Sequence, residues 1–198
     1  MLSYSTGLLN SFAPHISELT ECNAPDMMDF TKFSRTWIHN YILNSTFGTS
    51  RFHEPFYQLA LAYMRRTESA FQEYYSARNS LITYISGPKE KVSHYFERLY
   101  HFEQSISLIY QAYMILRKFL PNPKLYTSGD GSELDRLDIL YNFIKHADAK
   151  LEKKNFPKEY SSHVWLTNTG ISCIESTILY TELSDLLSDI ANGAKELH

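Results

Sequence analysis

Apolar positions recur every three to four residues along most of this chain, the spacing of helices with one buried face. The first long run carries Phe56, Leu59, Ala60, Tyr63, Met64, Phe71, Tyr74, Tyr75, Leu81 and Ile85. It is predicted to begin near Glu54, with Pro55 in a first turn whose N–H groups have no intrahelical partner, and to stop at Gly87-Pro88. A second long helix is expected over 89–120, on Val92, Tyr95, Phe96, Leu99, Phe102, Ile106, Ile109, Tyr110, Tyr113, Met114 and Leu116, with Pro121 and Pro123 ending it. Turn-forming residues fill 124–131. Ser132 then reads as an N-cap, with Glu133 and Asp135 in a first turn where carboxylates suit the helix dipole. The central helix that follows is expected over 134–151, closing near Phe156-Pro157. Residues 163–170, HVWLTNTG, alternate apolar and polar like a short strand or an extended arm. A last amphipathic helix is expected over Tyr180–Leu197, on Leu183, Leu186, Leu187 and Ile190.

The first 50 residues are less regular. Pro14 and Pro25 interrupt them, short helices are expected over 15–20 and 30–43, and 44–50 reads as a loop. The expected organisation is an N-terminal helical cap or arm, 1–50, followed by an all-α, up-and-down bundle over 51–198. That bundle would hold two long antiparallel helices, the central helix, and a C-terminal helix reached through a short extended segment.

Composition supports helices: only seven glycines, little valine, and aromatic content of 15% in which tyrosine and phenylalanine dominate. The tyrosines Tyr74, Tyr75, Tyr95, Tyr100, Tyr110 and Tyr113 recur at helical spacing, which fits core packing better than base stacking. A net charge of −3 gives no overall nucleic-acid or membrane signature. Locally the balance reverses: over 145–158 five lysines face Asp148 and Glu152, about +3 by counting. Cys22 and Cys173 are far apart and form no CxxC pattern, which argues for a reducing compartment and against a zinc or disulfide framework. No apolar run is long enough to span a bilayer, and the start lacks a basic and then apolar leader. A cytoplasmic location is expected.

Candidate chemistry gathers on the central helix. Asp135, Asp138, Asn142, His146 and Ala149 share one stripe, beside an apolar flank of Leu137, Leu140, Tyr141 and Ile144. Imidazole exchanges protons near neutral pH, an amide one turn away can orient it or a substrate, and lysines can hold phosphate. A second constellation, His94, Glu97 and His101, has helical spacing for a metal site, though the sequence supplies no second cluster to complete one. Nucleophile elbows, phosphate-binding glycine loops and dinucleotide fingerprints are absent.

The run Tyr141-Asn142-Phe143-Ile144-Lys145-His146 resembles the signature helix of HEPN domains, whose motif is Arg-Asn-x-x-x-His. Asn142 and His146 fall on the Asn and His positions, and Tyr141 stands where that family has Arg. The aromatic helix upstream and the VWLTNTG segment followed by a helix are also similar, so the resemblance spans roughly 55–195. It implies a protein of toxin or phage-defence type in which two such helices meet in a homodimer and form a metal-independent ribonuclease site. His146 would be the general base or acid and Asn142 would orient it or the substrate. Lys145, Lys150, Lys153 and Lys154 would attract the RNA backbone. No cofactor or metal is implied, and the expected partners are RNA and a partner protein, an antitoxin or defence-system component. Tyr in place of Arg removes a fixed cation with forked donors. Lys145, Arg136 or Arg98 would have to supply that charge, or the domain would be a catalytically silent dimerisation or protein-interaction module.

Overall fold

The computed structural model describes residues 6–27, 36–43, 55–87, 92–120, 125–152, 156–158 and 160–197. A short helix, α1 (Thr6–Asn10), and a single 3₁₀ turn (Ile16–Glu18) lead to a helical segment over 36–43, α2. Two long helices follow, α3 (Phe56–Ser86) and α4 (Val92–Leu116). Their cross-helix bonds fix an antiparallel pair: Arg66 to Gln111, Ser105 to Ala70, His101 to Glu73 and Arg98 to Ser80. Between them lie Tyr63, Met64, Phe71, Tyr74, Leu99, Phe102, Ile106 and Ile109, all buried. The first helix keeps its expected ends, with Pro55 and Gly87 at its caps. The second ends at Leu116 and continues only as turns to Leu120.

The central helix, α5 (Glu133–Lys145), starts on Ser132, whose hydroxyl accepts from the Asp135 N–H at 3.2 Å. It stops six residues before its expected end. A separate five-residue helix, α6 (Ala147–Leu151), follows a break at His146. The apolar spacing explains the break: Leu137, Leu140 and Phe143 are buried under α5, whereas α6 buries nothing. Without a buried face, a helix this short has little to hold it in line with α5.

The extended segment is more than an arm. It forms a three-stranded antiparallel sheet, β1 (Val164–Leu166), β2 (Gly170–Cys173) and β3 (Thr177–Leu179), in the order β1-β2-β3. Trp165 pairs with Ser172 and Ile171 with Ile178. The expected all-α class holds broadly: the fold is mainly helical, with this small sheet added where a short extended segment was expected. The final helix, α7 (Tyr180–Leu197), follows β3 directly and matches its expected range.

The buried tyrosines act as core residues with a polar handle. Tyr63 donates to the Ile190 carbonyl on α7 at 2.8 Å, and Tyr180 to the Thr167 carbonyl of the β1–β2 turn at 3.1 Å. Tyr95 accepts from the Leu166 N–H of β1 at 2.9 Å. Tyr74 donates to the Pro25 carbonyl at 2.9 Å, and Arg78 donates to the Ala24 carbonyl at 2.9 Å. The chain around residues 11–27 is thus fastened across α3, and Asn168 on the β1–β2 turn accepts from the Thr20 N–H at 2.9 Å. Ile16, Leu19, Trp37 and Tyr41 are buried in the same hydrophobic cluster as the long helices. The expected loop over 44–50 lies outside the described residues. Among the described residues, no helix is long and apolar enough to cross a membrane.

Candidate functional site

Each polar residue of the α5 stripe has a distinct environment. Asp135 is 3% exposed and accepts two backbone N–H groups, from Gly129 at 2.8 Å and Gly131 at 3.1 Å. Both glycines have positive φ, 79° and 70°, so the turn depends on them and on the carboxylate that ties it down. Asp135 is consequently a fastener of the turn before α5.

One turn along, Asp138 collects hydroxyls. Tyr110 on α4 and Tyr126 in the preceding loop both hydrogen-bond its carboxylate, and burial together with that charge holds both phenols above their ordinary range. Asn142 donates its amide N–H to Asp138 at 3.1 Å. That bond turns the amide NH₂, not its carbonyl oxygen, to the carboxylate. Tyr141 stacks on Tyr110, with centroids 4.1 Å apart and planes inclined by 18°, and the Lys145 ammonium sits 5.8 Å from the Tyr141 ring centroid.

His146 occupies the break itself, with φ −118° and ψ 39°. Its backbone N–H bonds the Asn142 carbonyl at 3.1 Å, and its own carbonyl accepts from Lys150 at 3.0 Å, so the backbone is held on both sides. The side chain is exposed, as is that of Lys145, and among the described residues the imidazole makes no hydrogen bond or ion pair. Lys150 folds back: its ammonium lies 3.8 Å from the Phe143 ring centroid and 3.6 Å from the Glu175 carboxylate, leaving the side chain only 18% exposed. Lys153 and Lys154 lie outside the described residues.

Arg98 and Arg136, the two arginine candidates for that charge, are held elsewhere. Arg98 pairs with Glu97 at 2.7 Å and also bonds the His94 and Ser80 carbonyls. Arg136 pairs with Glu182 on α7 and bonds the Gly131 carbonyl. The corner thus carries an exposed imidazole, one exposed ammonium and an amide bonded to Asp138. That set can move a proton, but it offers little fixed positive charge for a phosphate.

The His94, Glu97 and His101 triple does not converge. Glu97 turns to Arg98, while His101 bonds Glu73 across the helix pair at 2.7 Å. Among the described residues, no group of three or more histidine, cysteine or acidic side chains is arranged to hold a metal ion.

A second titratable pair escaped sequence reasoning. Glu103 on α4 and His163 just before β1 lie 3.7 Å apart, 16% and 18% exposed. Burial pushes the Glu103 carboxyl up to about 7 and the His163 imidazole down. The His163 Nε2 atom is buried without a hydrogen-bond partner. The available signal was Glu103 between Phe102 and Ile106 on an apolar helix, but only the fold brings His163 to it.

Compared with protein-family models, with curated proteins and with solved structures, the chain matches none.

Proposed function

We propose that this chain is an HEPN-like helical protein of the toxin or phage-defence type. In this reading it acts on RNA in the cytoplasm, as a metal-independent endoribonuclease or an RNA-binding derivative of one, and works as a homodimer. The observation that carries the reading is the α5–α6 corner, where His146 is exposed one turn beyond Asn142 and beside the exposed Lys145. An exposed imidazole can take the proton of a ribose 2′-OH. The 2′-oxygen then attacks the adjacent phosphorus, the P–O5′ bond breaks, and the departing 5′-oxygen takes a proton from an imidazolium, leaving a cyclic phosphate. Lys145 supplies one cation to the phosphate, and the second copy supplies another across the dimer axis. Asn142, its amide set by Asp138, presents its carbonyl oxygen to the imidazole or the ribose. A partner protein, an antitoxin or another defence component, would cover this corner.

A specific observation favours a second reading, a catalytically silent dimerisation or protein-interaction module. Tyr141 is stacked on Tyr110, and Arg98 and Arg136 are both paired with carboxylates.

One experiment separates the two. The wild type and His146→Ala are incubated with mixed single-stranded RNA in EDTA. Cleavage that EDTA spares and His146→Ala abolishes supports the ribonuclease. Retained RNA binding without cleavage supports the binding derivative. A folded protein that neither cleaves nor binds RNA moves the assignment to the interaction module.

A further inference from the structure

On the opposite side of α4 from α5, Arg65, Arg66 and Ser69 of α3 and Leu108 and Gln111 of α4 line a groove of about 280 Å³. Tyr110, which stacks against α5, points about 130° around the helix from the mean direction of Leu108 and Gln111, so this groove is separate from the α5–α6 corner. Its polar lining has one chemical character. Arg66 is half-buried and pre-positioned, with Nε donating to Gln111 Oε1 at 3.0 Å and Nη1 to the Ala62 carbonyl at 3.2 Å. Because a guanidinium can only donate, Gln111 must present its oxygen to Arg66, which turns its NH₂ donors away from that bond. Arg65 is exposed and, among the described residues, has no hydrogen bond or ion pair, and the Ser69 hydroxyl likewise bonds nothing there.

No carboxylate lines this groove, and Glu68 beside it in sequence is not part of the lining. The groove next to α6 includes Glu152, and the groove at the start of α5 includes Glu133 and Asp189. Two guanidinium groups, an amide NH₂ and a hydroxyl around one concavity ask for an anion with several acceptor oxygens. The volume falls just below the roughly 300–1,000 Å³ of pockets that enclose whole small molecules, so a single phosphate group fits better than a complete nucleotide.

We propose that this groove is an oxyanion site that takes a phosphate group, either free or carried by a phosphomonoester, between Arg65 and Arg66. The proposal stands apart from the RNA reading, since neither His146 nor Lys145 touches the groove.

The test is a titration of the full chain with inorganic phosphate, ionic strength held constant with potassium chloride, following the Arg Nε–H and Gln111 side-chain NH₂ resonances by NMR. The expected result is a saturable shift of the Arg66 and Gln111 signals. Arg65→Gln and Arg66→Lys should each weaken binding by about tenfold, since each removes a forked donor set. Arg65→Gln leaves the Arg66–Gln111 bond intact, so its effect does not depend on a perturbed helix pair. A parallel titration compares adenosine 5′-monophosphate with adenosine. Tighter binding of the monophosphate than of inorganic phosphate identifies a phosphomonoester ligand, and equal binding identifies a free-anion site. Shifts that chloride reproduces, that fail to saturate, or that persist unchanged in Arg65→Gln overturn the proposal.

Discussion

Glu103 and His163 set opposing demands on the folded state. Glu103 binds its proton more tightly folded, at about 7, than unfolded, where its value is near 4.5. The folded chain therefore holds the extra proton between those values, and this contribution to stability is lost as pH rises through that window. Full ionisation at higher pH costs up to roughly 3 kcal/mol. His163, lowered by burial, acts the other way: its contribution is present above 6.5 and is lost as pH falls through the depressed folded value. Glu103→Gln keeps the volume and removes the charge. Urea midpoints should show this variant gaining about 1–3 kcal/mol over the wild type at pH 8 and little at pH 5. An equal gain at both values would sink the account. Neither partner was legible in the sequence, because a carboxylate on a helix and a histidine sixty residues later become a pair only when β1 packs against α4. His146 is the converse: its spacing from Asn142 was readable, and so was its neighbour Lys145. Its exposure was not, because exposure depends on where α5 ends.

At the scale of elements, local chemistry was legible wherever it decided the outcome. Gly87 ended α3, Ser132 began α5, and the spacing of leucines gave α7 its full length. The three strands were not separable, because strands of three and four residues are too short to show an alternation that excludes other structures. Their pairing also depends on a close backbone approach. A Cβ on Gly170 would lie 2.2 Å from the Ile178 carbonyl oxygen and 3.0 Å from the Leu179 Cα. Backbone atoms cannot yield as a side chain would, so Gly170→Ala must part β2 from β3. A loss of about 2–4 kcal/mol is expected by thermal or urea unfolding, and a variant within 0.5 kcal/mol of wild type would refute this reading of the contact. The turn before α5 makes a second case. Asp135→Ala leaves the Gly129 and Gly131 N–H groups without their carboxylate, and about 2–3 kcal/mol should be lost. Asp135→Asn, which keeps one acceptor oxygen, should lose less. If the two variants proved equally stable, the two-bond role assigned to Asp135 would be wrong.

The whole molecule leaves an exposed imidazole, His146, at a corner with little fixed positive charge beside it. His146 and Lys145 stand at the corner of α5 and α6, while the two arginine candidates, Arg98 and Arg136, are turned into ion pairs with Glu97 and Glu182. If the chain cleaves RNA, a second protomer must contribute at that corner, and activity must follow the dimer. Specific ribonuclease activity in EDTA should then fall as the protein is diluted, in step with the dimer fraction measured by sedimentation velocity over the same range. Subunit mixing adds an independent readout. When wild type is titrated with His146→Ala, a site that needs both imidazoles loses activity as the square of the wild-type fraction, whereas a site needing only one loses it linearly. Activity proportional to protein concentration down to the monomer range would place the whole reaction within one chain, and some cation other than the ion-paired Arg98 and Arg136 would have to reach His146. That outcome would bring the basic stretch after α6, with Lys153 and Lys154, forward as its source.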